Sequence, residues 1–295
     1  MGNNNIILVN LLSYNGKKSI NYFKKNNIKF SLLNDYKNKK SFVELINKRY
    51  DNYIICGGDG TLNKFVNRFM SLSTNNKEKI SIGIIPCGRA NDLARNLKIP
   101  TNITRALKKI KNNKKKSIDI IKVNNSYLLT GGGLGLPAEI IEDINRFSSK
   151  KLGKFFKKFL GSSIYSIFTL KKLTFGYKGI DLIEDNSSKK LLAIYLLNQS
   201  FIGKKYKIIP EAKNDDGLLN SIIIKTPPTF FSNFKTLFLV TKGKSNELQW
   251  VSNKIGKKMN LKLTQPSYFM ADGELFEKNN EFSIEVMPDN LKVIY

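Results

Sequence analysis

Across residues 5–111, short apolar runs alternate strictly with stretches of helical spacing, and this pattern constrains the fold more than any other feature of the chain. The runs are NIILVN (5–10), KFSLL (29–33), NYIIC (52–56) and ISIGII (80–85). Helical spacing occupies 17–26, 40–49, 61–70, 91–97 and 101–111. Strands that read as continuous apolar runs are buried on both faces, and strand–helix alternation produces a parallel sheet with helices covering both sides. Ligands of such sheets collect beyond the carboxyl ends of the strands. Two polar, glycine-bearing loops fall there: Gly57–Thr61 after the third run and Pro86–Asp92 after the fourth.

From about residue 119 the texture changes to longer β-branched and aromatic runs, at 118–130, 180–198, 219–225, 259–270 and 281–287. The clusters NDDG, EDNSS and ADGE mark turns among them, as in an antiparallel sheet or sandwich. One helical region, 150–173, interrupts the series. The expected fold class is therefore α/β plus β-rich in two domains. An α/β domain covers 1–118 and is expected to be completed by 278–295, and a β-rich domain covers 119–277, with the boundary near the lysine-rich stretch 108–116. No internal repeat is present.

At 295 residues and 41% apolar content the chain can bury substantial cores. Its 50 Lys and Arg against 23 Asp and Glu give a net charge of +27. Such an excess fits a phosphate-bearing partner, whether nucleotide, nucleic acid or anionic lipid headgroup, or it is the composition of a Lys- and Asn-rich chain. No nucleic-acid-binding module is recognisable, and nucleic acid is not the expected partner. There is no histidine, which removes Ser-His-Asp and Cys-His catalysis and leaves proton transfer to a carboxylate, lysine, tyrosine or cysteine. Two cysteines make a disulfide framework unexpected. The sequence has no secretory-signal pattern and no apolar stretch of membrane-spanning length, so the expectation is a cytoplasmic protein that touches a membrane peripherally.

The loop GGDGT (57–61) is bare: adjacent glycines expose backbone N–H groups, and the helix after them points its positive end the same way, which together make a phosphate cradle. Asp59 inside such a cradle either acts on phosphate through a divalent cation or caps the helix. The pattern G-x-x-x-x-G-K-[ST] of P-loop NTPases is absent. TGGGLGLPAEI (130–140) contains G-x-G-x-x-A, but Pro137 lies within it and no acidic residue closes a second strand about 20 residues on, so it is a poor dinucleotide fingerprint. ADGE (271–274) places two carboxylates on one turn, where they either take a proton or are merely solvated.

GGDGTLN (57–63), PCGRANDLARNLKIP (86–100), PEAKNDDGLL (210–219) and ADGE (271–274), in this order, resemble the diacylglycerol kinase catalytic-domain family. That family includes bacterial lipid kinases and sphingosine and ceramide kinases, and it shares a fold with NAD kinases. The resemblance spans nearly the whole chain and implies an ATP-dependent lipid kinase using Mg²⁺, with a lipid such as diacylglycerol as acceptor and a homodimer as one assembly. The nucleotide contacts it implies are Gly57, Gly58, Asp59, Gly60, Thr61, Leu62 and Asn63, then Gly88, Asn91 and Asp92; Arg89, beside them, is a candidate contact on its own chemistry. It implies Glu274 as general base with Asp272 beside it. It further implies metal ligation by Asp216 with Lys213 and Leu218, and by Asp59. An NAD kinase-like enzyme and a catalytically silent lipid- or membrane-binding homologue are the alternatives.

Three positions depart from the family pattern. The first loop reads NLLSYNGKK (10–18) in place of N-P-x-S-G, Arg89 stands where a threonine is usual, and IGKKY (202–206) replaces a run of glycines. The guanidinium of Arg89 suits phosphate and is also large enough to obstruct the pocket. KKLGKFFKKFL (150–160) places Leu152, Phe155, Phe156 and Phe159 on one face and Lys150, Lys151, Lys154, Lys157 and Lys158 towards the other. Such a helix either lies on an anionic membrane or packs its apolar stripe on the β domain.

Overall fold

The computed structural model describes residues 4–72, 81–150, 153, 155, 160, 163–185, 187–204 and 206–295. The chain forms two compact units, 1–119 with 289–295, and 120–288. From sequence the divisions were expected at 118/119 and 277/278.

In the first unit, β1 (Asn5–Val9), β2 (Ser31–Leu32), β3 (Asn52–Gly57) and β4 (Ser81–Pro86) lie in the order β2-β1-β3-β4, all parallel. The returning chain adds Val293 and Ile294 alongside Ile82 and Gly83, also in parallel. Every residue of β3 and β4 is buried, as their unbroken apolar runs require. Helices α1 (Gly16–Lys25), α2 (Lys39–Asn47), α3 (Asp59–Met70), α4 (Asp92–Asn96) and α5 (Ile103–Asn112) alternate with the strands. One core packs Phe23, Leu107 and Ile110 against Val9, Ile54 and Ile85. Elsewhere in the unit Phe65 meets Phe42 and Tyr53 at centroid separations of 5.5 and 5.8 Å. Strand β2 is shorter than the run 29–33 because the chain turns into a 3₁₀ helix at Leu33, and a short edge strand offers little backbone for unwanted pairing.

The second unit is antiparallel. The run 118–130 is divided at Asn124, whose φ is +51°, into β5 (Lys115–Val123) and β6 (Ser126–Leu128). Strand β7 (Gly131–Gly135) follows. The run 180–198 is likewise a hairpin, β8 (Ile180–Glu184) and β9 (Ser187–Leu197), folded at Asp185 with φ +47°. The remaining strands are β10 (Phe201–Ile202), β11 (Tyr206–Lys207), β12 (Leu219–Lys225), β13 (Val251–Gly256), β14 (Lys258–Ser267), β15 (Met270–Ala271), β16 (Glu274–Leu275) and β17 (Asn279–Ile294). Strand β9 is central: it pairs with β7 and β8 along one edge and β12 along the other.

Helices α6 (Leu136–Ser149), α7 (Ser163–Phe175) and α8 (Phe230–Thr241) cover part of this unit. A core of Ile140, Ile164, Leu173, Leu239 and Val240 joins them to Leu192 and Ile222. The helical region thus starts at Leu136, earlier than residue 150, and α8 has no counterpart among the sequence expectations. The amphipathic face expected at 150–159 lies largely outside the described residues, of which it retains Lys150, Gly153 and Phe155.

An ion cluster ties α6 to α7. Lys172 on α7 lies 3.1 Å from Glu139 and 3.2 Å from Asp143, both on α6. Glu139 also accepts the N–H groups of Lys178 and Gly179. Burial alone would lower the Lys172 pKa, but the hydrogen bonds and charges of Glu139 and Asp143 outweigh it and raise it. Lys172→Met is expected to lower stability by about 1–3 kcal/mol in urea denaturation, because two carboxylates lose their cation. A raised lysine pKa stabilises the folded state below the ordinary lysine range and ceases to do so as pH climbs through the raised value. The difference between variant and wild type therefore shrinks only in strongly alkaline solution.

Candidate active site

In the first unit the sequence positions the two expected loops at adjacent strand ends. Cys56 pairs with Ile85 and Gly57 with Pro86 in the β3–β4 register, and the Cys87 N–H donates to Gly57 O at 2.8 Å. Helix α3 follows at once with Gly58 as its N-cap, in extended backbone. A glycine there puts no side chain over the first-turn N–H groups, and the helix's positive end faces out of the loop.

The loops touch backbone to backbone. A Cβ on Gly88 would lie 2.4 Å from the Gly58 Cα, and one on Gly58 would lie 2.8 Å from the Gly88 Cα. Around this contact each loop is braced by polar groups. Asn91, at φ +54°, accepts the Gly88 N–H at 2.8 Å and donates to Gly88 O at 2.9 Å. Asp59 is not the cap of α3. Its carboxylate accepts the Leu93 N–H at 3.4 Å, in the first turn of α4. Thr61, Leu62, Asn63, Asn91 and Asp92 are buried, while Gly60 is half-buried. A small pocket is lined by Gly57, Gly58, Asp59 and Asn91 over Ile55, Ile84, Leu62 and Ala94.

A third loop joins them. After β1, the Asn10 amide donates to Thr61 Oγ1 at 2.8 Å, Ser13 Oγ lies 3.4 Å from the same hydroxyl, and the Asn15 N–H donates to Cys87 O. The Arg89 guanidinium stacks over the Tyr14 ring, 5.3 Å from its centroid. Two departures from the family pattern are thus in contact: the altered first loop supplies the aromatic face for the arginine that replaces threonine. The sequence marked the loop 10–18 that contains Asn10, Ser13 and Tyr14 as a departure but assigned these three no contact. The signal that points to them is position, since they follow the carboxyl end of a third parallel strand.

Directly under the glycines, the free thiols of Cys56 and Cys87 lie 3.0 Å apart, with Ser19 Oγ 3.0 Å from Cys87. Hydrogen bonding to Cys87, together with burial, pushes the Cys56 thiol up. Bonding from Cys56 and from Ser19 holds Cys87 below the ordinary thiol value against the effect of burial.

In the second unit, ADGE is a two-residue hairpin. Ala271 pairs with Glu274, and the turn residues Asp272 and Gly273 have φ +49° and +83°, the positive-φ pair of a primed turn rather than an ordinary type I turn. The two carboxylates have different surroundings. Asp272 accepts the N–H groups of Leu129 and Thr130 at 2.8 Å, Gly131 at 3.3 Å, and the Thr130 hydroxyl at 2.6 Å. It fastens the hairpin to the segment before β7, and Glu274 stands half-buried two residues on. The glycines of TGGGLG serve close packing: a Cβ on Gly132 would meet Met270 O at 2.3 Å, and one on Gly133 would meet Ile194 O at 2.1 Å.

Asp216 accepts the Leu218 N–H at 3.0 Å, an Asx turn across Gly217 at φ +69°. A carboxylate and the two carbonyls expected beside it, those of Lys213 and Leu218, are oxygen donors of the type a hard cation takes. Among the described residues no group of three or more His, Cys, Asp or Glu gathers to hold a metal.

Residues 13–123 match the Diacylglycerol kinase catalytic domain, and residues 157–295 match the YegS C-terminal NAD kinase beta sandwich-like domain. The chain thus carries a diacylglycerol kinase catalytic domain followed by a YegS-type C-terminal domain, and it has the two-domain NAD kinase/diacylglycerol kinase-like fold. A Staphylococcus carnosus protein named "Putative lipid kinase" is 29% identical over 260 residues, covering 83% of this chain and 77% of that one. "Putative lipid kinase SaurJH9_0749" of Staphylococcus aureus is 28% identical over 249 residues, with 84% and 78% covered. Among solved structures, a "putative diacylglycerol kinase" from Bacillus anthracis superposes with a TM-score of 0.74 at 21% identity, covering 99% of this chain and 95% of that one. An NAD kinase from Archaeoglobus fulgidus in complex with ATP gives a TM-score of 0.51 at 16% identity, covering 99% and 93%. These two show likeness of fold. No helix among the described residues is long and apolar enough to cross a membrane.

Gly88→Ala is expected to force the two loops apart at a cost of about 1–3 kcal/mol. A fall in thermal unfolding midpoint with unchanged secondary-structure content is the outcome that checks it.

Proposed function

We propose that this protein is an ATP-dependent lipid kinase that transfers the γ-phosphate of ATP to the hydroxyl of a lipid of the diacylglycerol class. The observation that carries this reading is the backbone contact of the Gly57–Thr61 and Gly88–Asp92 loops at the carboxyl ends of adjacent parallel strands. It offers N–H groups and a helix N-terminus to phosphate with no side chain in the way. The lipid kinase names of the relatives, and the family itself, support the lipid hydroxyl as acceptor.

Without histidine, a carboxylate is the natural proton acceptor, and Glu274 is assigned that role. As the lipid oxygen bonds to the γ-phosphorus, the bond to the β-γ bridging oxygen breaks, ADP leaves, and the hydroxyl proton passes to the Glu274 carboxylate. Asp272, saturated by four donors, acts as a positioning residue that holds the Glu274 hairpin. Asp59, and separately Asp216 with the Lys213 and Leu218 carbonyls, are the groups assigned to Mg²⁺, which when bound neutralises phosphate charge. Arg89, steadied on Tyr14, adds a cation beside the Gly88 loop.

The test is transfer of labelled phosphate from ATP to dispersed diacylglycerol, with NAD as a competing acceptor. Glu274→Gln is expected to lower the rate by at least about 10²-fold while leaving the unfolding midpoint unchanged. Asp272→Ala is expected to lower both. Phosphorylation of NAD in place of lipid, or full activity in Glu274→Gln, would overturn the corresponding part of the assignment.

A further inference from the structure

Helices α7 and α8 pack against each other. They share the core of Ile164, Leu173, Leu239 and Val240, and the Tyr177 hydroxyl donates to Asn233 at 3.2 Å. What they leave outside is unusual for a solvated surface. On α8, Phe231, Lys235 and Phe238, continued by Lys242 at the C-cap, follow one another at spacings of four, three and four, which is a single stripe along the helix. All four are exposed, Phe231 to 81% and Phe238 to 62%. On α7 the exposed residues include Ile167, Leu170 and Lys171, and Phe175 at its end is 83% exposed. Lys171 also sits 5.7 Å from the Phe168 ring.

No acidic residue occurs in 163–178 or in 226–246. In sequence, the chain approaches α7 through KKLGKFFKKFL (150–160), with five lysines, three phenylalanines and again no acid. Aromatic side chains interleaved with lysines, free of carboxylates and exposed on two neighbouring helices, match a bilayer's chemistry: apolar residues enter at headgroup depth while ammonium groups meet lipid phosphates. Clustered exposed apolar residues of this size mark an interaction site rather than ordinary surface.

We propose that the outer faces of α7 and α8 form a docking surface for an anionic lipid bilayer. Two other occupants fit less well. A second copy of this chain, related by a two-fold axis, would press this acid-free lysine face against itself. A single-stranded nucleic acid uses aromatics as open stacking platforms, and Ile167 and Leu170 present no π-face. Docking brings the proposed kinase to its acceptor, and in that purpose it rests on the lipid-kinase reading. The binding itself needs no ATP.

The experiment is sedimentation of the full chain with phosphatidylcholine vesicles, with and without phosphatidylglycerol. Wild type is expected to bind the anionic vesicles and to be released by salt. Lys171→Gln/Lys235→Gln/Lys242→Gln should weaken binding about fivefold per charge and flatten its salt dependence. Phe231→Ser/Phe238→Ser should weaken it by at least about tenfold. Both sets of changes are on exposed positions, and unfolding midpoints near wild type show that folding is intact.

Several results would overturn the proposal: equal binding to neutral vesicles, wild-type binding by both variants, a wild-type dimer that the phenylalanine variant splits, or a single-stranded oligonucleotide bound through the same residues. A water-soluble short-chain diglyceride separates the two readings. Both variants should phosphorylate it at the wild-type rate. Its failure as a substrate with vesicle binding intact would sink the kinase reading and leave the docking surface standing.

Discussion

The candidate site depends on a contact between two backbones, Gly58 against Gly88, at the ends of neighbouring parallel strands. Any side chain at either position would hold the loops apart by the width of a methyl group. Because neither residue has one, the loops close on each other and their remaining polar groups become mutual braces. Asn91 folds its own turn back onto Gly88, and Asp59 reaches across to the first turn of α4. Thr61 gathers Asn10 and Ser13 from a third strand end. Helix N-termini and bare N–H groups are common in such folds. Here the glycine contact makes three separate loops behave as one surface.

The second unit positions its carboxylate by a different route. Its hairpin turn needs positive φ at both central residues, which Asp272 tolerates and Gly273 prefers. The same Asp272 then spends its acceptor capacity on the backbone of 129–131. Of the two acids on this turn, Asp272 holds the hairpin in place and Glu274 is the one to which the proposed proton transfer is assigned. The glycines of β7 complete the arrangement by letting β9 and β15 approach from both sides.

The parallel half of the fold was legible because buried strands leave an unbroken apolar signature and helices a periodic one. Elements without such a signature were lost. Helix α8 reads FFSNFKTLFLVT, with phenylalanines on its exposed side as well as apolar residues on its buried one, so the apolar pattern marks no single core-facing stripe. Its start depends on Thr229, whose hydroxyl oxygen accepts the Ser232 N–H. The run 118–130 contains a reversal at Asn124 that its reading as one run did not mark, whereas the reversal at Asp185 falls in EDNSS, which the sequence marks as a turn. Of the site, the glycines and carboxylates were readable from their order along the chain. The Tyr14–Arg89 stack was not, because its partners are 75 positions apart and each looks like an isolated departure.

By itself, then, the sequence determined the strand and helix alternation, the bare loops and the absence of histidine, because each follows from local composition or short spacing. Tertiary structure alone decided how those groups are used. It made Asn91 a brace, made Asp272 a clamp, joined two anomalies into one stacked pair, and left the aromatic–lysine faces of α7 and α8 outside. Such outcomes turn on which atoms meet across long separations in sequence, and local pattern carries no record of that.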